Sequence, residues 1–143
     1  MADQSLAVQI GIKSALSASA AVQALVGARV YDRVPVAPTY PYVTIGEGST
    51  TDDGAECNEG EEVVFNISVY SRGTSAGGFG MTEARRIAAA IKAALHEQDI
   101  ALTDAAVHLV DLRFRDATFR LEPDGETRRG ILQYVALTEP TAP

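Results

Sequence analysis

Two long extended runs dominate the last third of the chain, Val107 to Leu121 and Gly130 to Thr138, joined through Pro123-Asp124-Gly125. Proline presets the first turn dihedral and Asp-Gly supplies a tight reversal, so the runs are expected to fold back as a β-hairpin. The fifteen residues of the first arm reach ~50 Å at ~3.3 Å per residue. A compact chain of 143 residues is only roughly 37 Å across. The hairpin is therefore expected to bend sharply or to protrude. In its first arm Val110, Leu112 and Phe114 share one face while Phe119 and Leu121 fall in the opposite register, which requires a bulge or bend near Asp116. In the second arm Ile131, Val135 and Leu137 oppose Leu132, Tyr134 and Ala136. Both faces of that arm seek cover, and a neighbouring subunit is expected to supply part of it.

The rest of the chain supplies a sheet and helices to pack on it. Val63, Phe65, Ile67 and Val69 alternate with Asn66, Ser68, Tyr70 and Arg72, a period of two that predicts a strand with one covered face. A second strand is expected from Tyr42 to about Thr50, then a polar, acidic loop from Thr51 to Gly60. Asp3 or Ser5 is placed to cap a helix running to about Ala18, with Val8, Ile12 and Leu16 on one face and Leu6 and Ile10 beside it. Ser19 caps a short second helix that Gly27 ends. Val30 to Val34 reads as extended, and Pro35, Pro38 and Pro41 as a stiff connector. After the glycine-rich stretch Gly73 to Gly80, Thr82 is expected to cap a helix ending near His96. Its apolar stripe is Ala84, Ile87, Ala88, Ile91 and Leu95, with Glu83, Arg85, Arg86, Lys92 and Glu97 in water. The fold class is α+β: a mostly antiparallel sheet with a protruding hairpin, packed by N-terminal helices and one amphipathic helix. One domain spans 1–143, with a core of about 6–138 and a short flexible tail over 139–143.

Function classes fall away on charge and motif. Twelve basic against nineteen acidic side chains leave −7, with a pI near 4.7, which argues against a general nucleic-acid binder or a polybasic membrane anchor. Cys57 is the only cysteine, so no internal disulfide forms. The first residues carry no signal-peptide pattern and no apolar run reaches the ~20 residues of a membrane span. Gly77-Gly78-Phe79-Gly80 precedes a helix, but the spacing matches neither the dinucleotide fingerprint nor the phosphate loop. The acidic set Asp52, Asp53, Glu56, Glu59, Glu61 and Glu62 lacks the ligand order of a calcium loop. His108 and Asp111 with a spare serine outline a triad on paper, without a nucleophile elbow or oxyanion loop. His96 suits a helix end, and Arg128-Arg129 beside the turn suits solvent, a phosphate or a partner carboxylate. Neither catalysis, a metal nor a cofactor is expected.

The order of segments resembles a family. It runs Ala24-Leu25-Val26-Gly27, Arg29-Val30-Tyr31-Asp32-Arg33-Val34-Pro35, Tyr40-Pro41-Tyr42-Val43-Thr44-Ile45-Gly46, a strand ending Val69-Tyr70-Ser71-Arg72, and the helix Ile87 to His96. Leu112-Arg113-Phe114 and Pro123-Asp124-Gly125-Glu126-Thr127-Arg128 complete it. Over about Leu6 to Thr138 this is similar to the tail-completion or tail-terminator proteins of long-tailed phages, prophages and phage-derived gene transfer agents. The resemblance implies a virion protein made and assembled in the bacterial cytoplasm and placed at the head–tail junction. It implies a ring, typically a hexamer, that caps the tail tube, stops its polymerisation, meets the head-completion (stopper) proteins and lets DNA pass without specific binding. On that reading Leu132, Tyr134 and Ala136, with Arg128 and Arg129, are expected at the ring contact. The acidic set Asp52 to Glu62 is expected to face the lumen or the tube. Alternatives are another neck component, or a small ligand-binding protein or enzyme using the Gly73–Gly80 loop.

Overall fold

The computed structural model describes residues 4–52, 60–73 and 78–141. In chain order the elements are α1 (Gln4–Ala18), α2 (Ala20–Val26), β1 (Val30–Tyr31), β2 (Tyr42–Asp52), β3 (Glu61–Ser71), α3 (Thr82–Leu95), β4 (Val107–Leu121) and β5 (Arg128–Pro140). The strands form one five-stranded sheet in the order β1-β2-β3-β5-β4. Only the short β1–β2 pair is parallel. The expected α+β class and its helices are therefore present.

The helices lie on one face of the sheet. Val63, Phe65, Ile67 and Val69 of β3 are buried beneath them, as their alternation requires, together with Leu132, Tyr134 and Ala136 of β5. Helix α1 buries Val8, Ile12 and Leu16, whereas Leu6 and Ile10 stay 52% and 44% exposed on its far side. Helix α2 starts at Ser19, whose hydroxyl accepts from the Val22 N–H at 3.3 Å, and closes at Gly27, in the left-handed region at φ 58°. Helix α3 buries the five apolar residues its spacing predicts. Two details differ. Thr82 is the first helical residue rather than the cap; Met81 holds that place without a side-chain hydrogen bond. Glu83 is buried rather than in water, because Ser71 Oγ donates to its carboxylate at 2.6 Å.

Strand β2 runs on to Asp52, and its register pairs Thr51 with Glu62 and Asp52 with Glu61. Asp52, Glu61 and Glu62 therefore sit on paired strands instead of in a loop, while Asp53, Glu56 and Glu59 lie outside the described residues. Gly48 marks a close approach: a Cβ there would lie 2.1 Å from the Val64 carbonyl oxygen and 2.8 Å from Phe65 Cα. Only glycine lets β2 lie this near β3.

The hairpin has its bulge where the phase slip demands one, at Arg115 between the pairs Phe114–Tyr134 and Asp116–Gln133. A second register shift, at Val110, is unannounced by the sequence. It turns Val110 outward, 54% exposed, away from the face shared by Leu112 and Phe114. The arms do not stand free of the sheet: β5 pairs with β3 from Arg128 to Thr138, so only the turn 122–127 reaches past the last β3 residue, Ser71. Strand β5 also continues beyond Thr138. Glu139 and Pro140 pair with His108 and Val107, so these two residues are held, not a loose tail.

Both faces of β5 are apolar, and the helices choose between them. Leu132, Tyr134 and Ala136 are at most 1% exposed, Tyr134 stacked on Phe65 and met edge-on by Phe114, each at 5.6 Å between ring centres. Burial pushes the Tyr134 hydroxyl well above the ordinary tyrosine range, and it has no hydrogen-bond partner among the described residues. The expectation that these three residues form a ring contact is thus overturned: they are the subunit's own core. The other face of the strand, with Ile131, Val135 and Leu137, is half-buried and carries no helix among the described residues.

Candidate functional site

Four tyrosines that lie far apart in sequence meet at one end of the sheet. Tyr31 ends β1, Tyr40 precedes β2, Tyr42 begins it and Tyr70 lies near the end of β3. The antiparallel register sets Tyr42 directly opposite Tyr70, and their rings stack at 4.9 Å with 17° between planes. Tyr40 and Tyr31 close on Tyr42 at 5.1 and 6.1 Å. The Tyr40–Pro41 bond is cis, and Arg29 Nε donates to the Pro41 carbonyl at 2.8 Å, tying the connector to β1. Burial first, and the neighbouring Tyr40 second, push the Tyr42 hydroxyl up to about 12, so it is a neutral donor at any physiological pH.

Two arginines cover this stack. The Arg72 guanidinium lies 4.1 Å from the Tyr40 ring centre and that of Arg129 lies 5.3 Å from the Tyr70 ring. Arg72 Nε also donates to Thr127 Oγ1 at 3.3 Å, which fastens the hairpin turn to the end of β3. Arg129 Nη2 donates to Ser68 Oγ at 3.1 Å and reaches Glu47 at 3.5 Å. The turn is organised around Asp124. Its carboxylate accepts from Thr127 Oγ1 at 2.6 Å and from the Thr127 and Glu126 N–H groups at 2.8 and 2.9 Å. The ion pairs from Arg72 to Asp124 and Glu126 are 4.0 Å long and exposed, so they add little.

The hydrogen bonds of Thr127, hydroxyl first and then backbone, with that of Glu126 after them, hold the Asp124 carboxyl down at about 2, against an ordinary 3.8. A carboxyl depressed on folding stabilises fully above its unfolded pKa and loses that contribution as pH falls through its folded one. The turn is therefore expected to loosen between about pH 4 and pH 2. Amide exchange at Glu126 and Thr127 should accelerate in that window. In Asp124→Asn the acceleration should vanish, and an unchanged pH profile in that variant would count against Asp124 as its source.

The residues singled out by sequence do not form one site. Arg129 belongs to the tyrosine end, and Arg128 beside it donates to the Glu126 carbonyl at 3.1 Å. Asp52, Glu61 and Glu62 lie at the other end of β2 and β3 from the Tyr42–Tyr70 pair. No group of acidic, histidine or cysteine side chains suited to a metal occurs among the described residues. His96 Nδ1 accepts from the Phe114 N–H at 3.0 Å, and Asp111 is engaged by Arg113 at 2.6 Å, so no triad forms with His108. Residues 74–77 of the glycine-rich stretch are outside the described residues. A cleft between α1 and β2 holds about 200 Å³, below the ~300–1,000 Å³ of small-molecule sites. Sequence reading missed the tyrosine end. Its one local sign was the recurrence of Arg and Tyr in Arg29-Val30-Tyr31, Tyr40-Pro41-Tyr42 and Tyr70-Ser71-Arg72.

Tyrosine and arginine are the side chains most enriched at protein–protein contacts, since they offer broad, stiff, amphipathic area. A rigid tyrosine–arginine end with no nucleophile paired to a base suits recognition of a protein.

The comparisons agree with a structural role. Residues 11–139 match the family model described as tail completion protein gp17. Among solved structures, the chain is similar to one from the virion of a native gene transfer agent particle, at 32% identity and a TM-score of 0.85. The match covers 97% of this chain and 99% of that one. No curated protein matches significantly. The family match spans α2, α3 and the second half of α1, the tyrosine end and nearly the whole hairpin together, and the chain belongs to the tail completion protein gp17 family, a family of phage tail structural proteins.

Proposed function

We infer that this chain is a ring-forming tail terminator. It caps the last ring of the tail tube, stops tube polymerisation and joins the tail to the head-completion proteins at the head–tail junction. DNA passes through its lumen. The observation that carries the reading is the likeness to a chain of a gene transfer agent virion over 97% of this chain and 99% of that one. A closed ring requires a head-to-tail contact between two different surfaces, repeated until the rotation closes. The hexamer typical of the resemblance is the expected size. The tyrosine–arginine end supplies one axial face, for the tube or a neck protein. At the opposite end Asp52, Glu61 and Glu62 supply acidic character, and the overall −7 keeps a lumen from holding phosphates.

Native mass spectrometry of the purified chain, alone and with its tail-tube protein, tests this. A closed ring is expected in one or both samples. A strict monomer that ignores the tube overturns the reading.

A further inference from the structure

We propose that the ring contact is made by helix α1 of one copy lying on the helix-free face of the sheet of the next, Leu6, Ile10 and Lys13 against Val64, Val135, Leu137 and Glu62. This rests on the ring reading above. An antiparallel sheet can leave one face in water, but that face is then polar. Here the alternation fails on β3 and β5. Val64 and Val135 are register partners, Leu137 follows on the same face, and across from Leu137 lie Glu62 and Asp111. Glu62, Asp111, Val135 and Leu137 line a hollow of about 480 Å³ together with Arg113, Phe114 and Arg115. No helix among the described residues covers it.

The matching surface is on the opposite side of the subunit. Helix α1 turns Gln4, Ala7, Val8, Gly11, Ile12 and Leu16 into the core. Leu6 and Ile10, four apart, and Lys13, three further on, share the other side and are exposed. Leu6 to Lys13 spans about 10 Å of helix at ~1.5 Å per residue. Val135, Leu137 and Glu62 cover a comparable reach at ~6.6 Å along the strand and ~4.8 Å across it. Asp111 is engaged by Arg113, and neither Glu62 nor Lys13 has an ion pair among the described residues, so Lys13 of α1 meets Glu62 beside Arg115. The two surfaces are different and lie on opposite layers, so each copy offers one and receives the other. That is the arrangement a closing ring needs. A helix on a bare sheet is also the ordinary way to bury both. The outer edge of β4 is the poorer contact, since two bulges interrupt it against pairing.

The test uses Ile10→Glu and Leu137→Glu, both at surface positions, in the full chain with the tail-tube protein present. Each variant alone is expected to lose the ring and remain a folded monomer by circular dichroism. Mixed in equal amounts, each keeps one intact surface, and the expected product is a heterodimer that grows no further. Rings from either variant, or a mixture that stays monomeric, overturn the inference while leaving the ring reading in place. A wild-type chain that forms no ring overturns both. Should a variant lose its fold, a photo-crosslinker at Ile10 decides instead: a crosslink to residues 128–140 of another copy supports the contact, and one to the tube protein or to another segment overturns it.

Discussion

Leu132→Glu is expected to unfold the subunit rather than release folded monomers from an assembly. Leu132 is 1% exposed, between Ile67 of β3 and Ala117 of β4 in the register and beneath the helices. The substitution removes a buried aliphatic side chain, a change that alone costs ~2–5 kcal/mol. It also puts a carboxylate into a core of aliphatic and aromatic side chains, and such a charge is among the most destabilising single changes known. Their sum, above about 4 kcal/mol, is a large share of the ~5–15 kcal/mol that holds a domain of this size together. Circular dichroism and chemical denaturation of the purified variant would show it as a lost or collapsed transition. The neighbour Leu137→Glu, on the other face of the same strand, should melt close to wild type. A folded Leu132→Glu protein would mean that β5 presents its opposite face to the helices.

Gly48→Ala should cost roughly 1–3 kcal/mol, the usual penalty for forcing one extra carbon into a filled space. The added methyl would stand 2.1 Å from the Val64 carbonyl oxygen and 2.8 Å from Phe65 Cα. Both are backbone atoms, so no side chain can swing aside, and β2 must move off β3. The damage should concentrate on the strand pairing, seen as faster amide exchange in Ser49 to Thr51 and Val63 to Phe65 and a lower denaturation midpoint. An alanine variant as stable as wild type would show that the two strands can separate without loss.

Much of the architecture was legible because it is local. The alternation of Val63 to Val69 needs no knowledge of its neighbours to demand one covered face. The phase slip around Asp116 announced a bulge that the structure holds at Arg115. Ser19 and Gly27 closed α2 by hydrogen bonds within a few residues. Other features were not local. Val110 has the same apolar side chain as its neighbours, yet an extra bulge turns it out. Glu83 looked like a solvated helix residue, yet Ser71 on distant β3 donates to its buried carboxylate. The tyrosine end is invisible until the β2–β3 register sets Tyr42 against Tyr70.

What the sequence alone determined is the set of elements and the resemblance to tail-completion proteins, because caps, turns and hydrophobic periods act within a few residues along the chain. What only the tertiary structure decided is which face of each element is spent on the subunit's own core. Leu132, Tyr134 and Ala136 and their counterparts Ile131, Val135 and Leu137 are equally apolar, and a period of two cannot say which set is covered. Helices from distant parts of the chain make that choice. The face they leave bare, and the side of α1 turned away from them, are the surfaces the proposed ring contact uses.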